Sequence, residues 1–175
     1  NRGEIAARVA RSAHRLGIAT VAIASDADRD APYLASCDTV VAIGGAHAAD
    51  SYLRIEKIVA AARTSGARAV HPGYGFLSES AELADAVEAA GLVWVGPPPD
   101  AMRAMADKAE ARLRMAAAGV PVLPGYDGAD QTRATFAAQA RRIGFPLMVK
   151  AAAGGGGRGM RRVADERELD AALAA

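Results

Sequence analysis

Only one of the 175 residues is a cysteine, Cys37. An internal disulfide and a multi-thiolate metal site are therefore both excluded, and a reducing compartment, the cytoplasm, is the expectation. Aromatic residues make up 5% of the chain, too few for a platform on which bases stack. Neither sign of charge dominates: 21 Lys and Arg stand against 20 Asp and Glu, a formal net charge of +1. Proteins that hold a polyanion carry a basic excess, so nucleic acid is not an expected partner. No apolar run approaches the roughly 18 residues of a membrane-spanning helix, so no membrane is expected either. The sequence opens on Asn1 without methionine, signal peptide or transit peptide. Its first helical pattern has no strand before it, and its last simply runs out. These ends lead to the expectation of a piece of a longer protein whose first strand precedes Asn1.

What is there has a globular balance, 51% hydrophobic and 23% charged. The length suits one domain plus part of a second. Alanine is about a quarter of the chain and arginine outnumbers lysine 18 to 3. In such a background an arginine says little, whereas Lys57, Lys108 and Lys150 stand out.

Apolar spacing alternates strands with helices through the first two thirds. Helices are predicted at 3–16, 52–65 and 79–90, and short continuous apolar strands at 20–24, 39–43, 67–71 and 92–95. That alternation predicts an α/β fold whose parallel sheet is covered on both faces. Ligands gather at the carboxyl ends of such strands, here the loops 25–30, 71–80 and 96–100. Pro97-Pro98-Pro99 makes a stiff joint. Helices follow at 100–106, 107–118 and 132–143. The pattern then changes to a strand at 145–150, a loop at 151–159, a strand at 160–163 and a helix from Asp165. A domain boundary near 100–112 fits the change, giving domains 1–106 and 107–175.

Gly154-Gly155-Gly156-Gly157-Arg158-Gly159 is the most informative stretch. Glycines let backbone N–H groups converge on an anion. Ordering them costs about 0.5–1 kcal/mol each relative to alanine. Two or three charge-assisted bonds to phosphate, about 1.5–3 kcal/mol each, offset that. The expectation is a loop that is mobile when empty and closes over phosphates, with Lys150 reaching them as a point charge. The bland alternative is a flexible hairpin tip. A Walker A loop is excluded because no Lys-Ser/Thr follows, and a dinucleotide fingerprint because the next element is a strand.

With these residues in view, the chain resembles the biotin carboxylases, the ATP-grasp component of biotin-dependent carboxylases. The likeness runs from Asn1-Arg-Gly-Glu-Ile-Ala through Ala27-Asp28-Arg29-Asp30 and Ser51-Tyr52-Leu53. It continues through His71-Pro72-Gly73-Tyr74-Gly75-Phe76-Leu77-Ser78-Glu79, Gly96-Pro97, Asp107-Lys108, Ala118-Gly119-Val120-Pro121 and Lys150 to Met160. The resemblance implies a Rossmann-like pre-ATP-grasp domain followed by the start of an ATP-grasp domain. It implies that ATP and bicarbonate give carboxyphosphate and ADP, and that the carboxyl group passes to N1 of biotin on a separate carrier domain. Lys108 and Lys150 match the family's ATP-contacting lysines. Gly155, Gly156 and Gly157 fall in its phosphate-covering lid, and Met160 matches a residue beside the nucleotide. Tyr74 and Gly75 match the loop that approaches biotin. The family's Mg2+ (or Mn2+) carboxylates, catalytic arginine and bicarbonate pocket are expected beyond residue 175, so neither a catalytic nor a metal-binding residue is assigned here. No turnover is expected of the chain alone. Implied partners are a biotin carboxyl carrier domain, a carboxyltransferase and a second copy in a homodimer. The rival readings are another ATP-grasp ligase of carbamoyl-phosphate or purine-pathway type, and an inert folding or dimerisation module.

Several other residues have plain structural readings. His71 is expected to brace its loop, and His14 and His47 to lie on the surface. Asp26, Asp28 and Asp30 read as a turn and helix start rather than a metal site. Glu79 reads as a first-turn acid or as a residue of the cleft. Trp94 reads as core, Cys37 as a small buried hydrophobe, and Lys57 as solvated. Arg8, Arg11 and Arg15 stripe one helix face, either simply solvated or, by the resemblance, facing the second copy.

Overall fold

A computed structural model describes residues 1–150 and 159–174. They form two compact units, Asn1–Arg103 and Ala104–Ala175. The first contains α1 (Glu4–Arg15), β1 (Val21–Ala24), β2 (Thr39–Ala42), α2 (Ile55–Thr64), β3 (Ala69–Val70), α3 (Ala81–Ala89) and β4 (Val93–Trp94). Short 3-10 turns at Asp26–Asp28, Pro32–Ser36 and Ala48–Asp50 lie between them. The chain leaves this unit along α4 (Pro99–Ala106).

The α/β class with parallel strands is as the sequence predicts, but the sheet is not continuous among the described residues. β1 pairs β2 in parallel from Val21↔Thr39 to Ala24↔Ala42. β3 pairs β4 in parallel only at Ala69↔Val93 and Val70↔Trp94. The two ladders are separate two-stranded sheets. They are joined instead by side chains. Ile23 on β1 and Val70 on β3 both pack on one cluster of Ile58, Leu83, Ala84, Val87, Trp94 and Met102. Ala84 and Val87 are fully buried there. Trp94 is core as expected, and its Nε1–H donates to Pro97 O, bracing the loop after β4.

Local chemistry sets the helix ends. Ser80 caps α3 by accepting from Leu83 N–H at 3.1 Å, which satisfies one orphan donor of the first turn. Glu79 therefore sits before the cap and outside the helix, not in its first turn. Glu4 opens α1, and His14 and Arg15 close it, each sign at the end the helix dipole favours. Periodicity placed the start of α2 at Tyr52, but the helix begins at Ile55. Leu53 keeps the apolar spacing through the preceding turn, so spacing alone could not see the boundary.

In the second unit Asp107 caps α5 (Lys108–Ala117), accepting from Ala109 N–H at 2.8 Å and Glu110 N–H at 3.0 Å. Thr132 caps α6 (Arg133–Ile143). β5 (Leu147–Lys150) and β6 (Met160–Val163) pair antiparallel, and α7 (Leu169–Ala174) follows a 3-10 turn. Val163, Ala140 and Leu169 are buried together, with Phe145, Leu147 and Val149 against them. The strand period of two then turns Met148 and Lys150 outward.

Candidate functional site

The carboxyl end of β1 runs into Ser25, which is 1% exposed. Its N–H donates to Tyr52 Oη at 2.9 Å, and its hydroxyl donates to Asp28 Oδ2 at 3.0 Å. Tyr52 Oη in turn donates to the same carboxylate oxygen at 2.7 Å. Arg2 Nη1 completes the set, 3.2 Å from Oδ1 and 3.0 Å from Oδ2 of Asp28. Burial pushes the Asp28 carboxyl up, but the hydrogen bonds from Tyr52, Arg2 and Ser25 outweigh it and hold it below the usual carboxylate range. The bond to Asp28 raises the Arg2 guanidinium further above its ordinary value. Behind them Tyr33 donates to Ile23 O at 3.0 Å, and burial raises its phenol. Asp28 is thus a structural acceptor. Among the described residues no group of three or more His, Cys, Asp or Glu could hold a metal ion.

The loop after β3 is fastened to this cluster. Phe76 stacks on Tyr52 with centroids 5.1 Å apart and ring planes 13° apart. Arg2 lies over both rings, 5.4 Å from the Phe76 centroid and 5.5 Å from that of Tyr52. Phe76 takes φ +49°, the left-handed region that a bulky residue enters only when its surroundings impose it. Asn1 grips the same loop by its backbone: Nδ2 donates to Pro72 O at 3.1 Å and Gly75 O at 3.2 Å, and also to Tyr74 O. His71 braces the turn as expected, its Nδ1 accepting from Gly73 N–H at 3.0 Å. Tyr74 is left 61% exposed, with its hydroxyl donating to Glu4 at 3.3 Å. The structure thus presents Tyr74 and Gly75 on a held loop at the strand ends.

In the second unit Lys150 is the last residue of β5 and faces Met160, the first of β6, in register. Both are exposed. Lys108 is the first residue of α5, directly after its cap. Gly155, Gly156 and Gly157 lie outside the described residues. An exposed cation at the connected end of a hairpin, beside a thioether, suits a phosphate with an apolar ring nearby.

Three readings change. Lys57 is not merely solvated: Nζ donates to Ile43 O at 3.1 Å and Asp50 O at 2.6 Å, tying two loop carbonyls to α2. Cys37 is half-buried rather than buried, because it sits at the rim of a 3-10 turn. His14 is on the surface but engaged, with Nε2 2.8 Å from Asp38 Oδ2. Sequence reasoning gave no role to Arg2, Tyr52 or Phe76. The available signal was position for two of them: Tyr52 lies in the connection that follows β2, and Phe76 in the one that follows β3.

Comparison with known proteins gives two family matches. Residues 1–102 match the family described as biotin carboxylase, N-terminal domain. Residues 107–175 match the one described as carbamoyl-phosphate synthase L chain, ATP binding domain. Methylcrotonoyl-CoA carboxylase subunit alpha of Oryza sativa is 53% identical over 163 residues, 93% of this chain and 22% of that protein. Biotin carboxylase of Pseudomonas aeruginosa is 51% identical over 170 residues, 97% of this chain and 38% of that one. A crystal structure of a biotin carboxylase–beta-gamma-ATP complex from Campylobacter jejuni superposes with a TM-score of 0.89 at 45% identity, covering 98% of this chain and 39% of the other. The chain spans between about a fifth and two fifths of these three proteins.

Proposed function

The chain belongs to the biotin carboxylase family, and from that premise we propose that it is the amino-terminal part of an ATP-dependent ligase that carboxylates biotin. In the complete protein bicarbonate attacks the γ-phosphoryl group of ATP, giving carboxyphosphate and ADP. The carboxyl group then moves to N1 of biotin held on a carrier domain. Lys150 and Lys108 hold phosphates, Gly155, Gly156 and Gly157 cover them, and Met160 lies beside the nucleotide. Tyr74 and Gly75 frame the biotin cleft. The division into domains 1–106 and 107–175 belongs to the same reading. The observation that carries the nucleotide part is the hairpin end, where exposed Lys150 faces Met160 across β5 and β6.

The Mg2+ (or Mn2+) that accompanies ATP finds no ligand cluster among the described residues. The biotin carboxyl carrier domain and a carboxyltransferase complete the reaction. A second copy in a homodimer meets the exposed face of α1 that carries Arg8, Arg11 and Arg15. A cytoplasmic location fits a lone cysteine, and no helix among the described residues is long and apolar enough to cross a membrane.

Lys150→Ala in the complete protein tests the assignment. A charge-assisted bond to phosphate contributes about 1.5–3 kcal/mol, so KM for ATP should rise about tenfold or more. Folding should be unaffected, because the side chain is exposed. An unchanged KM and turnover number would remove Lys150 from the site. A second reading, another ATP-grasp ligase, draws on the carbamoyl-phosphate synthase description matched by residues 107–175. It predicts turnover that responds to ammonia and ignores biotin.

A further inference from the structure

We infer that Arg2 is a positioning residue for the biotin-facing loop, locking Tyr74 and Gly75 in place by packing its guanidinium against both of the stacked rings of Phe76 and Tyr52. This rests on the reading that Tyr74 and Gly75 face biotin. It adds a role for a residue whose side chain engages Asp28, Tyr52 and Phe76.

Four observations converge. Phe76 holds a left-handed backbone, which a phenylalanine leaves unless its side chain is trapped. The trap is Tyr52 stacked at 5.1 Å and Arg2 at 5.4 Å from the Phe76 centroid. Asp28 bonds the guanidinium through both carboxylate oxygens and so fixes it relative to the two rings. Finally, Asn1, the preceding residue, bonds the carbonyls of Pro72, Tyr74 and Gly75. One dipeptide therefore holds the loop by backbone and by ring. Releasing Phe76 removes the ring hold and leaves Tyr74 and Gly75 to the Asn1 bonds alone.

The chemistry demands arginine. A planar guanidinium lies against aromatic rings while its Nη1 donates to the Asp28 carboxylate, and the compact ammonium of lysine offers no such flat face to the rings. Arg2→Lys keeps the charge and loses the clamp. Its counterpart Phe76→Leu keeps an apolar contact and loses the stack.

Steady-state kinetics of the complete protein with free biotin, for wild type, Arg2→Lys, Arg2→Met and Phe76→Leu, test the inference. A loosened loop misplaces the acceptor, so KM for biotin should rise about tenfold in all three variants while KM for ATP stays within about twofold. Amide exchange at residues 74–78 should quicken in the same variants. An unchanged biotin KM with unchanged exchange would overturn the clamp. So would an equal loss in the ATP and biotin parameters, which would mark Arg2 as a general fold contact. Should Arg2→Met fail to fold, Arg2→Lys and Phe76→Leu still decide. A wild type that ignores biotin would defeat the functional reading alone, and the exchange measurement would then judge the clamp by itself.

Discussion

Asp28 receives hydrogen bonds from three side chains, Ser25, Tyr52 and Arg2. Its side chain is only 16% exposed, so protonating it disrupts a nearly enclosed set. A carboxylate whose native pKa is depressed stabilises the fold above its unfolded value of about 3.9 and loses that contribution as pH falls through the lower native value. Unfolding free energy should therefore decline as the medium is taken from about pH 5 to pH 3. Asp38 shares in the decline, since Thr20 N–H, with help from His14 and the Thr20 hydroxyl, holds it down at about 2. Asp28→Asn leaves Asp38 in place, so the gap between wild type and variant isolates Asp28. It should be widest near neutral pH and narrow toward pH 3. A gap that stays constant with pH would mean that the ionised form of Asp28 contributes nothing.

The loop after β3 has a second requirement. Gly73 takes φ +67°, and a Cβ there would come within 2.8 Å of Asn1 Cβ. Gly73→Ala should cost about 2 kcal/mol or more, combining left-handed strain with that overlap, and urea denaturation of the chain reads it directly. This level also shows what the sequence could convey. Helices α3, α5 and α6 were legible to within a residue or two because their caps, Ser80, Asp107 and Thr132, are local chemistry. Strands β3 and β4 were read too long: apolar side chains at 67–71 and 92–95 report burial, whereas ladder pairing needs a partner that spacing does not name. Lys150 and Met160 were legible as the two edges of a glycine-rich connection, and the structure puts them in register. Arg2, Tyr52 and Phe76 were not. Tyr52 sat inside an apolar spacing that continues into α2, and the Asp28 hydroxyl partners lie 3 and 24 residues away in sequence. A network assembled from strand ends has no period to reveal it.

At the scale of the molecule, the chain is two units, each with its own core. The first carries the loop assigned to biotin and the second the hairpin assigned to ATP. Two of the three lysines in an arginine-rich sequence, Lys108 and Lys150, fall in the second unit, which agrees with a phosphate-handling role there. Relatives at about half identity include both a biotin carboxylase and a methylcrotonoyl-CoA carboxylase subunit. These residues therefore do not tell the two kinds of relative apart. Carboxylation of biotin driven by ATP can be measured in one assay. ADP formation by the complete protein is followed with magnesium and bicarbonate, with and without free biotin. Biotin should raise the rate. A rate indifferent to biotin but raised by ammonia would contradict it.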